Sequence, residues 1–129
     1  MQERGEIQNR ERGKQLRDFT GLRFGSITPT DIDGLIEYHG ERYIIIETKL
    51  NGAPLRHGQK LALERLTDDL HGAGKPTICI IVSHNSEDPN EDIDVASAMV
   101  SEYRFKGEWH LPKSPCTTRQ AIDSFIEFN

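Results

Sequence analysis

The sequence predicts an α/β fold: a mixed β-sheet, made of an antiparallel meander plus a parallel strand, flanked by helices. Three observations predict it. The runs Ile32–Tyr38 and Tyr43–Leu50 read as strands, and only His39-Gly40-Glu41-Arg42 separates them, which makes 32–50 a hairpin. Residues 57–71 then set Leu61, Leu63, Leu66 and Leu70 at helical spacing, with Ala62 beside them. Thr77–Val82 is a continuous apolar, β-branched run, the pattern of a strand buried on both faces.

The elements follow in order. Residues 3–19 are rich in Glu, Arg, Gln and Lys, with Ile7, Leu16 and Phe19 as sparse apolar anchors. They predict a polar helix, weakened by Gly5 and Gly13. Leu22 to Thr28 alternates moderately and ends at Pro29, a first strand ahead of the hairpin. Asn51-Gly52 is a turn dipeptide, and Pro54 excludes a continued ladder. Gly72-Ala73-Gly74 ends the 57–71 helix, and Pro76 prevents its resumption. Residues 85–94 form an acidic loop. Val95 to Lys106 suits either helix or strand at different points, and alternation at its end favours a strand over 98–105. Thr117-Thr118-Arg119-Gln120 carries the capping-box pattern displaced by one residue, and Ala121, Ile122, Phe125 and Ile126 mark a final helix. The order is helix, three antiparallel strands, helix, strand. A right-handed crossover then sets Thr77–Val82 parallel to Tyr43–Leu50. No repeat or linker interrupts it, so 1–129 is expected to be one domain.

Composition narrows the function. Hydrophobic residues make up 35% and charged residues 29%, an ordinary balance for a water-facing domain. No apolar stretch approaches the roughly 18 residues of a membrane span, and Met1–Glu6 has no apolar core for a secretory signal. Cys79 and Cys116 are far apart and outside any CxxC pattern, so zinc and a disulfide framework are not expected and a reducing cytoplasm fits. The net charge of −5 does not advertise nucleic-acid binding, but its distribution is uneven. Lys49, Arg56, Lys60 and Arg65 face only Glu64 across residues 49–65, whereas Glu87, Asp88, Glu91, Asp92 and Asp94 concentrate the acid. A chain acidic overall can still present a basic face.

One constellation carries chemistry. Glu47-Thr48-Lys49 ends the apolar run Tyr43–Ile46, and residues two apart on a strand share a face. A carboxylate and an ammonium therefore project together from an otherwise buried strand. Asp33, in Thr30-Asp31-Ile32-Asp33-Gly34, supplies a second carboxylate from the preceding strand, and Asp31 competes for that role. Two carboxylates and a lysine can hold Mg²⁺ and steer a water onto a phosphodiester. Arg56, His57 and Lys60 follow closely enough to meet a DNA backbone.

Taken together, Asp33, Glu47-x-Lys49 and the element order resemble the PD-(D/E)XK nuclease superfamily over residues 3–84. Within it the chain looks most like phage and bacterial Holliday-junction resolvases and small VRR-type nucleases, through Thr30-x-x-Asp33 and through Gln59 near the start of the next helix. The resemblance implies a restriction-endonuclease-like core and a Mg²⁺-dependent DNA endonuclease, structure-selective in the manner of a resolvase, with Mn²⁺ able to substitute. It implies Asp33, Glu47, Lys49 and Gln59 as catalytic residues, with Asp33, Glu47 and the backbone carbonyl of Thr48 as metal ligands. A glutamate from the first helix often joins them; Glu3, Glu6 and Glu11 are candidates, Glu11 preferred. It further implies DNA as partner, a homodimer, contacts with recombination, repair or packaging proteins, no membrane, and a phage-encoded or bacterial protein of the cytoplasm. Two departures stand out: Pro29 is followed by Thr30-Asp31 rather than directly by the metal aspartate, and two aspartates compete. Other functions compatible with this chain are a non-catalytic DNA-binding or assembly module on the same fold, and a protein-interaction subunit.

Other residues carry less. His39, His57, His71, His84 and His110 show no metal spacing. Trp109, Tyr103 and Phe105 are aromatic enough to stack on bases and equally suited to a core. The acidic loop lacks the spacing of an EF-hand.

Overall fold

The computed structural model describes residues 18–128. The chain divides into two compact units, Met1–Thr30 and Asp31–Asn129.

In the first unit, the expected strand over 22–28 does not form. Thr20–Leu22 is a turn of 3₁₀ helix, and Phe24 and Ile27 exchange two backbone hydrogen bonds (2.9 and 3.0 Å) across Gly25-Ser26. The chain reverses in the middle of the run, which leaves too few residues for a ladder. Residues 3–17 of the expected first helix lie outside the described residues.

The second unit is a five-stranded mixed sheet with helices, in the order β1-β2-β3-β4-β5. Its strands are β1 (Gly34–Tyr38), β2 (Arg42–Leu50), β3 (Thr77–His84), β4 (Met99–Phe105) and β5 (Glu108–His110). Helix α1 (His57–Gly72) connects β2 to β3, and α2 (Thr118–Glu127) follows β5. The α/β class is as expected. The antiparallel meander is shorter than expected, a β1–β2 hairpin with no strand before it among the described residues, because 22–28 turns back on itself. The hairpin begins at Gly34 rather than Ile32, so Asp33 precedes the strand instead of lying within it.

The hairpin turn fixes the register. His39 and Gly40 both take left-handed φ (56° and 68°), and Glu41 N–H donates to Tyr38 O at 2.9 Å. Paired left-handed residues match the natural twist of two antiparallel strands, and glycine adopts that conformation without a steric penalty. The resulting pairs run from Tyr38↔Arg42 to Gly34↔Ile46. β2 and β3 are parallel, from Tyr43↔Thr77 to Leu50↔His84, as the crossover rule requires. The strand β5 was not anticipated; Lys106-Gly107, again left-handed at both residues, turns β4 back into it.

Each sheet face has its own core. Ile44, Ile46, Ile78, Ile80, Val82 and Val100 pack with Phe125 of α2. Ile45, Cys79 and Ile81 pack with Leu63 of α1. Both faces of β2 and β3 are covered, which explains their unbroken apolar runs. The capping box of α2 closes in register rather than displaced: Thr117 Oγ1 accepts from Gln120 N–H, and Gln120 Oε1 accepts from Thr117 N–H. On the α1 face, Trp109 Nε1 donates to Glu64 (2.8 Å), and Arg104 makes a two-pronged contact with Asp68 (2.6 and 3.1 Å), tying the β4–β5 end to the helix.

Candidate active site

Alternation along β2 decides what Glu47 meets. Ile45 packs against Leu63, Cys79 and Ile81 beneath α1, so Glu47 and Lys49 continue on that face. Glu47 is 4% exposed, and its neighbour across the parallel ladder is the buried Ile81. Extending the hairpin register one residue past Gly34↔Ile46 sets Asp33 opposite Glu47.

Helix α1 completes the cluster. Gln59, its third residue, donates from Nε2 to Glu47 Oε1 (2.8 Å) and accepts at Oε1 from Lys49 Nζ (3.0 Å). Lys49 Nζ also lies 3.8 Å from Glu47 Oε1. Asp33 is held from the other side: Thr48 donates to its Oδ2 from both N–H (2.8 Å) and Oγ1 (2.9 Å). The structure thus brings together Asp33, Glu47, Lys49 and Gln59, and gives Gln59 a partner at each end of its amide.

Glu47 Oε2 has no hydrogen-bond partner although it is buried. Burial raises the pKa of this carboxyl above its ordinary value of 4.5, and the charge of Asp33 raises it further. The Gln59 hydrogen bond and the Lys49 charge pull in the opposite direction without cancelling the rise. A buried acceptor without a partner costs about 1–3 kcal/mol, and two carboxylates side by side repel. A divalent cation removes both penalties. Oxygen donors suit Mg²⁺, which commonly takes one or two protein carboxylates and fills its octahedron with water and phosphate oxygens. Among the described residues no group of three or more His, Cys, Asp or Glu that could hold a metal ion converges.

The other expected residues fall around this centre. Asp31 is exposed. Arg56 and His57 are exposed at the start of α1, where no side chain caps the helix and no acid occupies the first turn. The free N–H groups and partial positive charge of that terminus favour an anion. Lys60 is half-buried, with Nζ 5.3 Å from the centre of the Trp109 ring. Arg104 lies 5.8 Å from the same ring, so Trp109 is engaged within the fold. His84 ends β3 beside Leu50, and alternation turns it to the face away from Glu47. Glu3, Glu6 and Glu11 lie outside the described residues.

Sequence reasoning missed the Thr48 side chain and the Lys49–Gln59 contact. The only sequence signal for the first is Gly34, where β1 begins one residue after Asp33, so that Asp33 lies outside the ladder. Comparison with known proteins yields no matching family model, no similar curated protein and no similar solved structure.

Proposed function

We propose that this chain is a Mg²⁺-dependent DNA endonuclease of the PD-(D/E)XK kind. The observation that carries the proposal is Glu47 Oε2, a buried, unpartnered carboxylate oxygen in a cluster with Asp33, Lys49 and Gln59. The antiparallel hairpin, crossover helix and parallel strand support a restriction-endonuclease-like core.

Asp33, Glu47 and the Thr48 carbonyl would hold the ion. A bound Mg²⁺ would supply Lewis acidity and a water of lowered pKa. The chain's residues do the rest. Gln59 fixes Lys49 beside Glu47, so the ammonium can hold a water or phosphate oxygen by charge-assisted hydrogen bonds and offset charge that builds on phosphorus. Arg56, His57 and the uncapped start of α1 offer phosphate contacts that position the backbone without reading bases. Symmetric cutting of two strands calls for two such sites, hence a homodimer.

The direct test is cleavage of a labelled four-way junction, a linear duplex and a single strand with Mg²⁺, Mn²⁺ or EDTA, beside the Glu47→Ala variant. Cutting that requires both metal and Glu47 is the expected result, and the junction should rank first. No cutting of any substrate by the folded protein would move the assignment to a DNA-binding module.

The two aspartates should separate in the same assay. Asp33→Asn is expected to lower cleavage about 100-fold or more, while Asp31→Asn stays within about threefold of the parent. The reverse order would move the site two residues upstream.

A further inference from the structure

We propose that Thr48 is a positioning residue whose side chain holds Asp33 as a ligand through one carboxylate oxygen, so that metal affinity depends on a hydroxyl on the opposite face of β2 from Glu47. The inference rests on the metal-site reading above.

The β1–β2 ladder ends at Gly34↔Ile46. Beyond it, the carboxylate of Asp33 takes the place of a backbone partner and accepts both the Thr48 N–H (2.8 Å) and the Thr48 hydroxyl (2.9 Å) at a single oxygen, Oδ2. Asp33 is an exposed residue, and an exposed aspartate with a free χ1 loses rotamer entropy whenever it binds. Two bonds to Oδ2 remove that freedom beforehand and engage one oxygen of the carboxylate. Glu47 shows the matching pattern, with Oε1 taken by Gln59 and Oε2 without a partner. Each carboxylate is thus tied through one oxygen. The N–H half of the clamp belongs to the backbone and survives every substitution except proline; the hydroxyl half survives only in serine. Thr48 is half-buried on a strand, so Thr48→Val keeps the shape and the β-branch and deletes only the donor. Thr48→Ser does the reverse, keeping the donor and losing the methyl group.

The experiment is Mn²⁺ binding, by calorimetry and by the electron paramagnetic resonance of free Mn²⁺, on the full chain without DNA. Thr48→Val is expected to bind about 10-fold more weakly, as for other groups that orient a metal ligand. Thr48→Ser should return to within about threefold of the parent. In cleavage, the valine variant should need more Mg²⁺ for half-saturation than the parent does. Melting in EDTA checks that the fold is retained, and Thr48→Ala serves as a second hydroxyl deletion if the valine variant does not fold. Metal affinity unchanged in the hydroxyl deletions overturns the clamp and leaves the nuclease reading standing. A parent chain whose Mn²⁺ binding is absent, or indifferent to Glu47→Ala, overturns the metal site itself, and the clamp with it.

Discussion

Glu47→Gln is expected to eliminate metal-dependent cleavage and, in the same protein without metal, to raise the melting temperature. The two effects have one origin. Glu47 is a buried carboxyl with one oxygen unpartnered and with Asp33 opposite. In the absence of a cation its ionised form is disfavoured by burial and by the Asp33 charge, and its pKa lies above the ordinary value of 4.5. An amide of the same shape carries no charge to desolvate. It can still accept the Gln59 hydrogen bond at its oxygen while offering N–H groups toward Asp33. Relief of an unpartnered buried acceptor is worth about 1–3 kcal/mol, which corresponds to a rise of a few degrees for a domain of this size.

The sign of the pH dependence follows from the same shift. A carboxyl whose pKa is raised in the folded state binds its proton more tightly there than in the unfolded chain. Its contribution to stability is therefore fully present below the unfolded value and is lost as pH climbs through the folded one. In EDTA, the parent minus Glu47→Gln difference in stability should move against the parent as pH rises from about 4.5. Adding Mg²⁺ at neutral pH should stabilise the parent and leave the variant unmoved, because only an ionised Glu47 gains from a cation. Melting temperatures across pH, with EDTA and with Mg²⁺, read all three effects. A variant that melts below the parent in EDTA at neutral pH would show that Glu47 is a structural acid and not a metal ligand.

Much of the second unit was legible because each signal had a local cause. The β2 and β3 strands showed as apolar runs because both faces are covered, Ile44 and Ile46 by α2 and Ile45 by α1. The parallel pairing followed from the handedness of one crossover. Glu47 and Lys49 could be set on one face by counting alone. What the sequence hid depends on where elements stop. The alternation of 22–28 looked like a strand, yet the chain turns at Gly25-Ser26. β5 is three residues long, too short for any period to register, although Lys106-Gly107 marks its turn. Gln59 was identifiable as a polar residue near the start of α1; its bridge from Glu47 to Lys49 is a tertiary contact that no spacing rule contains.

Lys49→Ala should produce the second large effect, and in a form that separates the lysine from the metal ligands. Lys49 Nζ bonds Gln59 Oε1 at 3.0 Å and lies 3.8 Å from Glu47 Oε1. Its side chain is 21% exposed, so one side of the ammonium still meets solvent. That open side is where a water or a phosphate oxygen can approach. Loss of such a preorganised charge is expected to lower kcat about 100- to 1,000-fold. Lys49→Arg should recover little, because a planar guanidinium directs its donors differently from an ammonium and cannot occupy the same point between Gln59 and Glu47. The charge of Lys49 also lowers the pKa of Glu47. Removing it lets burial and Asp33 push that pKa further up, so protons compete with Mg²⁺ to a higher pH. The alanine variant should therefore show weaker metal binding below neutrality and recover toward the parent as pH rises, while kcat stays low throughout. Measuring Mn²⁺ affinity and single-turnover cleavage from pH 6 to pH 9 distinguishes these contributions. Cleavage within threefold of the parent at saturating metal would remove Lys49 from the chemistry and leave it only as the charge that keeps Glu47 ionised.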